Sequence, residues 1–242
     1  MKINFSVNYL IAFLSMIFLI QELHDWSHVL TAEWICGCFG TKNFDNWSFC
    51  DHCEVSGNIL VLAWLAGPAV TYTLVWLSWS LMSKRQSPGT RSLGFSLLFA
   101  ANPFVNILAA IGGGGDITLS MRMLYQQPDG SNRHIVSIAS LFIVLLLTVL
   151  PVLKAVSMIK GKKEKLILIP VFLLLPNYVE KIFVSNGMNW LLNKGVFQEE
   201  VFSGAPLLVV MWLFVLVIAL LITYKGLLNF IKKKERKSSL RI

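Results

Sequence analysis

Apolar residues gather along this chain in long blocks separated by short polar connections. The windows near residues 5–28, 57–82, 92–112, 134–159, 165–184 and 206–230 are mostly apolar, and each reaches the roughly 20 positions that a helix needs to cross a bilayer core. This pattern predicts an all-α fold: a polytopic transmembrane bundle of about six helices. The longest connections run to roughly 20 residues, too short to bury a core of their own. Residues 1–242 are therefore read as a single integral membrane domain. Its polar chemistry falls at about 5–125, further helices at about 134–231, and a basic tail at 232–242. Pro103, Pro151, Pro170 and Pro176 sit inside apolar runs, where neighbouring helices can satisfy the carbonyls that a kink frees. The first block follows Lys2 as a signal peptide would, but no small-residue cleavage site comes after it, so it is read as a retained first helix.

Composition sharpens this picture. Hydrophobic residues make up 55% of the chain and charged ones 14%, with a mean hydropathy of +0.65, which excludes water as the main solvent. The net charge of +8 would fit a nucleic-acid partner if it were clustered on one soluble face, but it follows alternate connections instead. Lys2, Lys84, Arg85, Arg91, Lys160, Lys162, Lys163, Lys165 and the tail from Lys232 to Arg241 mark one side. The other side holds only Lys42, Arg122, Arg133, Lys181 and Lys194. By the positive-inside rule the protein is a multi-pass cell-membrane protein with both termini in the cytoplasm. Its partner is then the lipid bilayer, with no nucleic acid, and the basic tail can also meet anionic lipid.

On that topology the outer rim collects the reactive residues. His24 and His28 stand at i and i+4, one turn apart on a helix face, the spacing at which two imidazoles can ligate one zinc ion. The same spacing also suits two histidines reaching toward water from a helix end. Asp116 follows the glycine run Gly112–Gly115 and would add an oxygen ligand, leaving a fourth position open. His134 is either a fourth ligand or an interfacial histidine. Gly114 and Gly115 allow close backbone approach and positive φ, so an extended substrate strand could lie beside them, or they could form a plain helix exit. Cys36, Cys38, Cys50 and Cys53 predict two disulfides outside the cytoplasm, or a structural zinc if the loop faces a reducing compartment. Trp34, Trp47 and Phe49 in that loop read as interface anchors. Glu22 and Glu180 could orient a histidine, and Asn177 could hold a substrate backbone. Each of these three more often serves as a packing residue.

The run His24-Asp25-Trp26-Ser27-His28 resembles the H-E-x-x-H motif of the site-2 protease family of zinc intramembrane metalloproteases, with Asp25 at the position of its glutamate. Leu65-Ala66-Gly67-Pro68-Ala69-Val70-Thr71 is similar to the family's A-G-P segment, with Thr71 where asparagine is usual. Asn102-Pro103, Asn106-Ile107-Leu108 and Gly112 to Asp116 resemble its N-x-x-P to L-D-G stretch, whose aspartate is the third zinc ligand. The resemblance spans roughly residues 15–125, with the motifs in family order. It implies one Zn2+ per chain on His24, His28 and Asp116, Asp25 as general base, and Asn106 near the substrate. The expected activity is hydrolysis of peptide bonds in membrane-associated or transmembrane substrates. Two alternatives are a pseudoprotease that binds membrane segments without cutting them, and a bis-histidine haem or transport protein that uses His28 and His134.

Overall fold

A computed structural model describes residues 2–3, 5–125 and 133–232. The basic tail beyond Lys232 lies outside them. Five described helices are long and apolar enough to cross a membrane. The first, α1 (Val7–Cys36), has 30 residues and a length of roughly 45 Å at 1.5 Å per residue. Ser6 caps it by accepting a hydrogen bond from the Tyr9 N–H at 3.1 Å, and Gly37 ends it in the left-handed conformation at φ 71°. α2 (Gly57–Leu81) returns alongside it.

The third crossing is broken into α3 (Pro88–Ala100) and α4 (Pro103–Ile111). Pro103 cannot donate into a continuing helix and disfavours the α conformation at the residue before it. That residue, Asn102, takes φ 48°, ψ 53°, a left-handed geometry that asparagine tolerates better than most residues. The chain then turns through Gly112–Gly115, with φ of +71° at Gly113 and +81° at Gly115, into the short helix α5 (Asp116–Leu124). A side chain at Gly115 would meet the Ala109 Cβ at 3.0 Å. The Arg122 guanidinium braces the turn by donating to the Gly113 carbonyl at 2.6 Å.

α6 (Arg133–Met158) shows what solvent these helices are built for. Ile138, Phe142 and Leu146 point outward, each more than 60% exposed, while Ser140 and Thr148 are fully buried. Large apolar groups outside and small polar groups inside suit packing against lipid. α7 (Lys162–Glu180) passes directly into a π-helical stretch, Lys181–Met188, and then α8 (Asn189–Asn193). The last apolar block forms α9 (Leu207–Thr223), 17 residues long, and Tyr224 stays right-handed into α10 (Lys225–Asn229). The sixth expected crossing is thus a shorter apolar helix beside the five.

α1 packs against α2, α3, α7, α9 and α10. At its N-terminal end Tyr9, Phe13, Phe95, Phe99, Phe172 and Phe230 form one aromatic cluster. The polar site lies toward the opposite end, under the loop between α1 and α2. In that loop the pairs Cys36–Cys53 and Cys38–Cys50 are disulfides, the first of the two readings its spacing left open.

Candidate metal centre

Two elements bring His24, His28 and Asp116 together. The two imidazoles share the inner face of α1, and Asp116 opens α5 immediately after the glycine turn. His24 Nε2 lies 3.0 Å from His28 Nε2 and 3.1 Å from Asp116 Oδ2, and His28 Nε2 lies 3.6 Å from that same oxygen. Donors around a tetrahedral ion at zinc's usual bond lengths stand roughly 3.3–3.5 Å apart, close to this triangle.

The orientation of the rings has its own cause. His28 Nδ1 donates to the Ala63 carbonyl at 2.7 Å, and His24 Nδ1 hydrogen-bonds the Thr71 hydroxyl at 2.8 Å. Because a carbonyl only accepts, the neutral His28 ring carries its proton on Nδ1, and its Nε2 lone pair faces Asp116. Electron-rich atoms this close repel unless a proton or a metal ion sits among them, and the outer-nitrogen anchor is the arrangement metal-ligating histidines use. Asp116 supplies the anion. The donor set therefore fits a divalent metal with nitrogen and oxygen preference, zinc among them. The described residues hold this one cluster of metal-ligating side chains.

Gly67 explains why α2 approaches so closely. A side chain there would run into the Nε2 atoms of both His24 and His28, so the backbone of α2 forms the floor beneath the donors. Trp47 forms a wall, its ring stacked on His28 with centroids 4.9 Å apart and planes within 10°. It is a packing partner of the site rather than a free interface anchor, whereas Trp34 is 81% exposed.

Asp25 turns elsewhere. Its Oδ1 accepts from Gln21 Nε2 at 3.2 Å, and its Oδ2 lies 3.8 Å from Lys42 Nζ. Lys42 is fully buried and pairs more tightly with Glu22, at 3.1 Å. Glu22 thus neutralises the loop lysine instead of orienting a histidine. Lys42 reaches this position on a small turn in which Ser48 N–H donates to the Thr41 carbonyl and Asn43 N–H to that of Asn46. The two disulfides close around that turn. Nothing in the sequence marked Lys42 beyond its charge.

A cavity of about 200 Å³ opens beside the donors, lined by His24, Asp116, Gln21, Thr71, Asn102, Asn106 and Glu180 among others. Asn102 is buried there with neither side-chain polar atom hydrogen-bonded. Asn106 lines this cavity and also the narrow crevice where Gly114 and Gly115 adjoin Asp116. His134 is exposed and borders a separate cavity with Arg122, Arg133, Gly112 and Gly113, so it neither joins the donors nor faces His28. His52 is exposed in the cysteine loop. The chain was compared with known protein families, with characterised proteins and with solved structures, and none of them matches it.

Proposed function

We propose that this protein is a zinc-dependent intramembrane peptidase whose metal ligands are His24, His28 and Asp116. The observation that carries the reading is the convergence of two nitrogens and one carboxylate oxygen at 3.0–3.6 Å. The two histidines belong to a helix apolar and long enough to span a bilayer, and a polar cavity lies alongside. Ionisable groups within a spanning segment are unfavourable unless they serve a function. The chemistry that zinc supplies at such a set is Lewis acidity, which polarises a carbonyl and acidifies water.

The surrounding residues suit a peptide substrate. Asn106 lines the cavity beside Asp116, and its amide offers both a donor and an acceptor, as a peptide group requires. Ala63 fixes the tautomer of His28 and Thr71 anchors the outer nitrogen of His24, so the ligands need little rearrangement when substrate arrives. The resemblance to site-2 proteases points to the same chemistry. The partner is then a membrane-embedded peptide segment that enters with its backbone locally unwound.

The test is hydrolysis of single-span peptides by the full-length protein in liposomes containing zinc. Wild-type protein should cleave, and His28→Ala should not. Wild-type protein that binds such peptides without cleaving any would establish the pseudoprotease reading instead. The engagement of Asp25 by Gln21 and Lys42 is the feature that favours that alternative.

A further inference from the structure

The cavity beside the donors contains a second acidic group, and it comes from a helix outside the motif-bearing segment. Glu180 is the last residue of α7 and lines the cavity together with His24 and Asp116. Among the described residues its carboxylate forms no hydrogen bond and no ion pair. Its oxygens are not sealed off either, because they are absent from the buried, unpartnered atoms of the protein. Asp25 differs: it lies outside the cavity lining, its Oδ1 accepts from Gln21, and its Oδ2 is buried 3.8 Å from Lys42 Nζ without a hydrogen bond.

The backbone at Glu180 is also unusual. The helix changes there from α to an eight-residue π-helical stretch. A π turn takes in one more residue than an α turn, so it rotates the following side chains relative to the preceding ones. Such turns persist mainly where function requires them.

We propose that Glu180 is the carboxylate that takes the proton from water attacking the substrate peptide bond. This inference rests on the peptidase reading above. As the water oxygen bonds to the carbonyl carbon, one of its protons passes to Glu180. When the C–N bond breaks, that proton passes to the departing amine, and the carboxylate is restored for the next turnover. The charged groups that share the cavity wall with Glu180 are His24 on α1 and Asp116 on α5, and Asp25 and Asp45 lie within electrostatic reach behind it. The remainder of its cavity wall is amide, hydroxyl and hydrocarbon.

The experiment compares full-length wild type, Glu180→Gln, Glu180→Asp and Asp25→Asn in liposomes. Zinc content, kcat, KM, the pH–rate profile and affinity for a peptide hydroxamate are measured for each. Glu180→Gln is expected to keep its zinc and KM, lose roughly 100-fold or more in kcat and lose the acid limb of the profile. Its hydroxamate affinity should fall about 10-fold, because a charge-assisted hydrogen bond is lost. Glu180→Asp should restore part of both, and Asp25→Asn should keep the acid limb. If wild type cleaves and Glu180→Gln cleaves equally well with unchanged hydroxamate affinity, this inference falls and the peptidase reading stands. If wild type holds zinc, binds the hydroxamate and cleaves nothing, both fall together.

Discussion

Gly67 shows how much of the centre depends on a missing side chain. Alanine would normally favour a helix interior over glycine by about 1 kcal/mol, so Gly67→Ala should not weaken α2 itself. It would, however, place a methyl group against the Nε2 atoms of His24 and His28. Zinc affinity measured by chelator competition is expected to fall at least 10-fold, the scale of effects on groups that orient ligands, while helix content stays unchanged. Unchanged affinity would mean that the imidazoles do not meet over this glycine. At this scale the sequence was readable where chemistry repeats at helical spacing: His24 and His28 had to share a face, and Asp116 followed a glycine run. Thr71, Ala63 and Trp47 were harder to read as partners of the imidazoles, since their roles depend on how α2 and the loop dock against α1. The same applies to Asp25, whose carboxylate lies 3.8 Å from a lysine that no local pattern connects to it.

Among the elements, the loop between α1 and α2 departs most from what its sequence suggests. Its cysteines and aromatics imply a braced patch on the membrane surface, yet its turn inserts Lys42 into the protein against Glu22 and Asp25. Removing one partner from a buried ion pair leaves an uncompensated charge, which typically destabilises by about 3–5 kcal/mol. Lys42→Met should therefore lower the thermal unfolding temperature in detergent markedly, and adding Glu22→Gln should recover part of the loss. Equal unfolding temperatures for wild type and Lys42→Met would show that the lysine is solvated. The broken third crossing was only half legible. Asn102-Pro103 predicts a kink, but the left-handed turn that leaves the Asn102 amide unpartnered emerges only when both half-helices are packed. The π-helical stretch after Glu180 has no sequence signature, because apolar periodicity does not separate π from α geometry over one or two turns.

The whole molecule follows from hydropathy more directly than any of its parts. Five apolar blocks form helices long enough to span a bilayer, and the sixth forms the shorter α9, which Tyr224 and α10 prolong. The outward side chains of α6 show why block length alone was sufficient: lipid accepts large apolar groups, so no amphipathic stripe was needed to mark the buried face. Charge asymmetry across the connections predicts that both termini face the cytoplasm and the disulfide loop the outside. A reporter fused at the C-terminus should accordingly be active in the cytoplasm, and one inserted within residues 40–48 should be active outside; the reverse pattern would invert the orientation. The central claim is a metal held by His24, His28 and Asp116, and elemental analysis of the purified full-length protein tests it most directly. The expected result is one zinc per wild-type chain, with loss of the metal in His24→Ala, His28→Ala and Asp116→Ala and retention in His134→Ala. A wild-type protein without zinc, or ligand variants that retain it in full, would contradict the claim.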